Sequence, residues 1–221
     1  MMARTHREDT PNRRGRWLRG VILAAGLTMI PWFILQAQLR PTPHTGEGPF
    51  YPVDDSLPAD ADLTTVPDSQ GEPEGQPLAI QGTVRNTDGQ PVSGARLVIW
   101  QTDIHGKYDH PAEQRTTGSG VPLPKDPNFQ YWGKTLTDAD GRYSFRTIVP
   151  GSYGRRPAHV HFRITHPGYE TLASEMQFRG DPQAADDFVT GEEERERLAV
   201  RLEAPEDGGT VRASFDIVLA R

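Results

Sequence analysis

Beyond Leu78 the chain breaks into short apolar runs separated by Gly, Pro and Asp turns, at intervals that leave little room for helices. Leu78 to Arg85 alternates, Thr87-Asp88-Gly89-Gln90-Pro91 turns, and Ala95 to Gln101 is a branched strand containing Trp100. Thr135 to Thr137 leads through Asp138-Ala139-Asp140-Gly141 into Arg142 to Ile148, with Tyr143 and Phe145 on one face. Ala158 to Thr165 and Tyr169 to Phe178 follow as further strands. The chain closes on Thr210 to Ala220, where Val211, Ala213, Phe215, Ile217 and Leu219 alternate with polar or small neighbours. Residues 191–203, rich in Glu and Arg, predict the one soluble helix. The pattern predicts an all-β fold, a two-sheet β-sandwich over residues 78–221 with one short helix in its C-terminal region. Residues 41–77, rich in Pro, Gly and Asp, predict an irregular N-terminal arm.

The formal net charge is -6, unevenly spread. Residues 1–20 carry six arginines against Glu8 and Asp9, which leaves an acidic body and argues against a nucleic-acid partner. The arginines precede Val21 to Leu35, fifteen residues without a charge, and then Gln36-Ala37-Gln38. This layout predicts that residues 1–40 form an apolar helix, either a signal peptide cleaved near Ala37 or a membrane anchor. The Arg13-Arg14 pair resembles a twin-arginine export signal. The domain is therefore expected outside the cytoplasm, periplasmic or extracellular, with any membrane contact made by an uncleaved N-terminal segment.

The chain has no cysteine, so disulfides and thiolate chemistry are excluded. In Arg156-Pro157-Ala158-His159-Val160-His161-Phe162 an extended strand projects His159 and His161 to one side, half of a metal site. Tyr153 lies just upstream after the Pro150-Gly151-Ser152 turn, and Tyr108 is expected to end an earlier strand. Neutral imidazole suits zinc, copper and iron alike. A phenol with a pKa of about 10 needs a strongly acidic cation to bind as phenolate near neutral pH, and trivalent iron is such a cation. Taken singly, each residue has a plainer reading as packing or a solvated strand face.

The sequence from about Thr45 to Ala220 resembles the intradiol ring-cleavage dioxygenases, the protocatechuate and catechol dioxygenase family. The resemblance is carried by Thr45-Gly46-Glu47-Gly48-Pro49-Phe50-Tyr51-Pro52, Val98-Ile99-Trp100-Gln101 and Gly106-Lys107-Tyr108. It continues through Asp126-Pro127-Asn128-Phe129, Thr137 to Ile148, Arg156 to Phe162, Gly180-Asp181-Pro182 and Phe215 to Leu219. It implies a mononuclear non-haem Fe(III) held by Tyr108, Tyr153, His159 and His161. It further implies that dioxygen cleaves a small aromatic diol between its hydroxyl-bearing carbons, giving a cis,cis-muconate-type product. Tyr153 is then the ligand that dissociates and takes a proton, and Arg156 supports negative charge on the ring. Tyr51, Glu175 and Gln177 are implied pocket residues, and the resemblance admits a homo-oligomer.

Three features depart from the family pattern. Only five residues separate Tyr153 from His159, a shorter connection than in the catabolic enzymes. Glu175 falls where a glutamine is usual, with Gln177 two residues on, and a carboxylate there disfavours acidic catechols. The N-terminus fits an exported relative. Two other readings stay open: a non-catalytic binding module like the carboxypeptidase-regulatory and prealbumin-like sandwiches, and copper or zinc on His159 and His161 with structural tyrosines.

Overall fold

The computed structural model describes residues 38–57, 59–205 and 209–221. The apolar helix expected within residues 1–40 lies, up to Ala37, outside the described residues. Strand β1 (Pro77–Asn86) is the hub of one sheet. It pairs antiparallel with β4 (Arg142–Ile148) and parallel with β8 (Val211–Ser214) and β9 (Ile217–Leu219). The second sheet has five strands. Their order is β3 (Trp132–Leu136), β2 (Arg96–Trp100), β5 (His159–Thr165), β6 (Leu172–Phe178) and β7 (Ala199–Val200). The fold is mostly β, with two sheets and one α-helix, α1 (Glu192–Leu198), among the described residues.

The alternation read from the sequence decides what lies between the sheets. Ile80, Val84, Leu97, Ile99, Phe145, Val160, Phe162, Ile164, Met176 and Phe178 form one buried apolar cluster. Their strand neighbours, including Val98, Trp100, His159 and His161, point to the opposite, outer face of the second sheet. That face is covered as well: Phe50 and Tyr108 are buried against Val98 and Trp100.

Two elements differ from expectation for local reasons. The helix stops at Leu198 rather than running to 203, because Ala199 and Val200 pair in parallel with Gln177 and Phe178 as an edge strand. The closing alternation divides into β8 and β9 although both keep one register against β1. At the break the Phe215 carbonyl turns to accept from Tyr143 Oη at 2.6 Å, and Asp216 Oδ1 accepts from the Thr83 N–H at 2.8 Å. A side chain at Gly82 could not coexist with that carbonyl, which lies 1.9 Å from where its Cβ would stand.

The N-terminal arm is pinned to the sandwich by backbone bonds. Thr42 N–H donates to the Val218 carbonyl, and Thr45 and Gly46 N–H groups donate to the Ala173 carbonyl. Leu63 is fully buried in the core between the sheets.

Candidate metal centre

Strand register assembles the first part of the site. Trp100 lies opposite His161 across β2 and β5, while His161 faces Glu175 and His159 faces Gln177 across β5 and β6. Both histidines are buried, at 4% and 5% exposure. His159 Nδ1 donates to the Pro157 carbonyl at 2.6 Å, which leaves Nε2 unprotonated, an acceptor. That Nε2 lies 3.1 Å from His161 Nε2 and 3.2 Å from Tyr108 Oη. His161 is oriented by stacking flat on Trp100, with ring centroids 5.0 Å apart. Burial holds both imidazoles below their ordinary pKa, His161 well below, so both are neutral near pH 7.

Loops deliver the tyrosines. Tyr108 lies in an irregular turn beyond the end of β2, not at a strand end as expected. Asp103 organises that turn: its Oδ1 accepts the His105 and Lys107 N–H groups, and its Oδ2 accepts Tyr131 Oη. The Gly151 N–H donates to the Asp103 carbonyl, lacing the Tyr108 loop to the loop that carries Tyr153. The five residues between Tyr153 and His159 begin as a tight turn closed by Arg156 N–H donating to the Tyr153 carbonyl at 2.9 Å. The Tyr108 and Tyr153 rings meet edge on, with centroids 5.6 Å apart.

The two phenols differ in environment. Burial pushes the Tyr108 hydroxyl far above its ordinary pKa. Tyr153 is half-buried, and its pKa is raised by burial and by the Glu113 carboxylate, against the opposing charge of Arg115. The Arg115 guanidinium lies over the Tyr153 ring, 4.1 Å from its centroid.

A cavity of about 250 Å³ opens at these groups. Tyr108, Tyr153, Arg156, His159, His161 and Glu175 share its wall with the Thr45 to Phe50 arm and with Phe188 and Val189 at its mouth. One Glu175 oxygen and one ring nitrogen each of His159 and His161 lie within 4.8 Å of one another, a group able to hold a metal ion. Arg156 Nη2 donates to Glu175 Oε1 at 2.5 Å, and its Nε pairs with Asp187 Oδ1 at 2.9 Å. Gln177 sits behind this layer, donating to Glu175 Oε1, Asp187 Oδ2 and Thr190 Oγ1, and does not line the cavity. Tyr51 is not brought to the cavity either: it packs edge on against Trp100, donates to Asp55 and accepts from Arg163.

The donor set suits a hard, highly charged cation. Two imidazole nitrogens and a phenol oxygen converge in a buried space, close enough for one cation to replace the protons they share. A phenol pushed up by burial ionises there only if a strongly polarising ion replaces its proton. A family model described as Dioxygenase matches residues 46–221. The chain belongs to the intradiol dioxygenase family.

The protocatechuate 3,4-dioxygenase β chain of Burkholderia cepacia is 37% identical over 184 residues, covering 77% of this chain and 76% of its own length. Catechol 1,2-dioxygenase 1 of Acinetobacter lwoffii is 32% identical over 67% of this chain, but the match spans only 50% of that enzyme. Among solved structures, the dioxygenase domain of a dioxygenase and carbohydrate-binding protein fusion from Streptomyces sp. SirexAA-E superposes with a TM-score of 0.64. It is 29% identical, covering 82% of this chain and 99% of that domain.

Sequence reasoning missed four residues of this intradiol dioxygenase site. Phe50 stacks on Tyr108 at 4.5 Å between ring centroids. Arg115 covers Tyr153, Asp187 is the second partner of Arg156, and Phe188 stands at the mouth. Phe50 was within the quoted motif; the others sit in loops whose return to the site depends on the whole fold.

Proposed function

We propose that this protein is an Fe(III)-dependent intradiol dioxygenase that opens the ring of catechol-type diols with dioxygen. The product class is a cis,cis-muconate-type diacid that retains both oxygen atoms. The observation that carries the reading is the convergence of His159 Nε2, His161 Nε2 and Tyr108 Oη in a buried cavity that Tyr153 also lines. The proposed ligands are Tyr108, Tyr153, His159 and His161. Ferric iron, when bound, supplies Lewis acidity and makes a chelated catecholate reactive toward dioxygen.

The protein's own groups do the rest. Pro157 and Trp100 fix the two imidazoles, so the rings need no reorientation to bind. Tyr108, buried and stacked on Phe50, is the permanent phenolate. Tyr153 is less buried and lines the cavity, where its phenolate would take a proton from a diol hydroxyl. The arm from Thr45 to Phe50 roofs the cavity and limits the water in it. Arg156 anchors Glu175 and Asp187, so less of its charge is free for the ring than the family pattern implies.

The comparisons do not favour the binding-module reading, and such a module has no need for these four side chains to meet. The test is to load the full chain with iron. A burgundy protein whose broad visible absorption shifts on adding catechol, with oxygen uptake, supports the reading. A protein that lacks this band and holds stoichiometric zinc or copper instead would end it.

A further inference from the structure

Arg156 and Glu175 are the formally ionised side chains on the cavity wall among the described residues. Arg156 is shared between two carboxylates, Glu175 at 2.5 Å and Asp187 at 2.9 Å. Both carboxylates are almost fully buried. Asp187 is locked by Thr190 Oγ1 and Gln177 Nε2, which donate to its Oδ2 at 2.5 and 2.9 Å. Apart from the metal and its phenolates, whose charge every diol meets alike, one cation between two fixed anions leaves this wall net negative. Glu175 is the one of the two that faces the cavity.

The mouth has the opposite character. Phe188 is 68% exposed and Val189 39% exposed, and both line the opening. Arg155 lies over Phe188, 5.8 Å from the ring centroid, but it is exposed, where water and salt screen its charge. An apolar lip of this kind gains from being covered by an apolar group.

From this geometry we infer that the cavity selects uncharged catechols, including those with apolar ring substituents, and rejects ring carboxylates. Glu175 is the residue that sets the discrimination. The inference rests on the dioxygenase reading above. A substrate carboxylate brought within several ångströms of Glu175 in a partly desolvated cavity is disfavoured on the order of tenfold or more. Covering Phe188 and Val189 favours an alkyl-substituted ring by a smaller factor.

The experiment compares catechol, 4-methylcatechol and protocatechuate on the iron-loaded full chain at fixed salt. Two readouts are taken: kcat/KM by oxygen uptake, and Kd by anaerobic titration of the visible band or by calorimetry. Protocatechuate is expected to be at least tenfold poorer than catechol in both, and 4-methylcatechol at least as good as catechol. Glu175→Gln narrows the catechol-to-protocatechuate ratio about tenfold. Asp187→Asn, which removes a charge behind the wall, narrows it by less. Thermal melts establish that both variants fold, and if neither does, the wild-type ratio alone decides. Parity of the two diols in the wild type overturns the inference, as does a Glu175→Gln variant that changes both equally. If the binding preference holds but no diol supports oxygen uptake, the dioxygenase reading fails and the charge selection stands. Absence of binding by every diol overturns both.

Discussion

His159 Nε2 and His161 Nε2 face each other across 3.1 Å, and His159 has already given its other nitrogen to the Pro157 carbonyl. Burial keeps both rings neutral, and His161 Nδ1 is buried without a hydrogen-bond partner among the described residues. A neutral His161 can give its one N–H to His159 Nε2, and a cation that replaces this shared proton gains both nitrogens as ligands. A cation between them therefore contributes to folding stability. At iron concentrations about a thousandfold above Kd the gain is about 4 kcal/mol, or roughly 10 °C in Tm for a domain of this size. Scanning calorimetry with and without a strong chelator checks it, with magnesium as the control that leaves Tm where it was. An unchanged Tm on iron removal would mean that the pair is held by packing alone.

Gly48 makes a second prediction. Its φ of +67° belongs to the left-handed region, and a Cβ placed there would lie 3.3 Å from His161 Cε1. Gly48→Ala thus costs about 1 kcal/mol in backbone strain and also presses on a proposed ligand. Tm of the metal-free protein is expected to fall by roughly 2–4 °C, with iron affinity falling severalfold as well. Metal analysis after dialysis separates the two effects. Intact iron content alongside a lowered Tm would remove His161 displacement from the account.

Much of this site was legible because strand periodicity needs no tertiary information. His159 and His161 two apart, and the alternation of Val160, Phe162 and Ile164, assign the two faces of β5 directly. What strand register added is the pairing of His161 with Trp100 and Glu175, which depends on which strands become neighbours. The helix end was misjudged because Glu and Arg propensity runs on past Leu198, whereas pairing of Val200 with Phe178 decides the local structure. Tyr51 was drawn into the pocket by its motif. Its ring turns instead edge on against Trp100, the indole that stacks on His161.

Asp187 predicts the acid limb of stability. Burial alone would raise its pKa, but the Thr190 hydroxyl, the Val189 N–H, the Arg156 charge and Gln177 together hold it below the ordinary carboxylate range. The folded protein thus binds this proton less readily than the unfolded chain. The resulting stability is fully present above about pH 4 and is lost as pH falls through the folded-state pKa. Melting curves taken between pH 6 and pH 2.5 should show a shallower acid decline for Asp187→Asn than for the wild type. Parallel declines would assign the acid sensitivity to other carboxylates.

The two tyrosines are separable because their surroundings assign them different tasks. Tyr108 is buried, stacked on Phe50, and placed with Oη 3.2 Å from His159 Nε2, so it has no room to leave. Tyr108→Phe keeps the ring packing and removes only the oxygen. Iron affinity should fall at least tenfold, and most of the visible absorption should disappear. Tyr153 is half-buried beside the cavity, with Arg115 over its ring lowering the cost of the phenolate. Tyr153→Phe should retain iron on Tyr108, His159 and His161 while shifting the visible band. Its turnover should fall on the order of 10²- to 10⁴-fold, the usual effect of losing a positioned proton acceptor. Iron content, the visible spectrum and kcat, measured on both variants, give each tyrosine its own signature. The opposite pattern, with iron lost from Tyr153→Phe and turnover alone lost from Tyr108→Phe, would exchange the two roles. Equal retention of iron and activity in both would remove the phenols from the chemistry and return the site to its histidines.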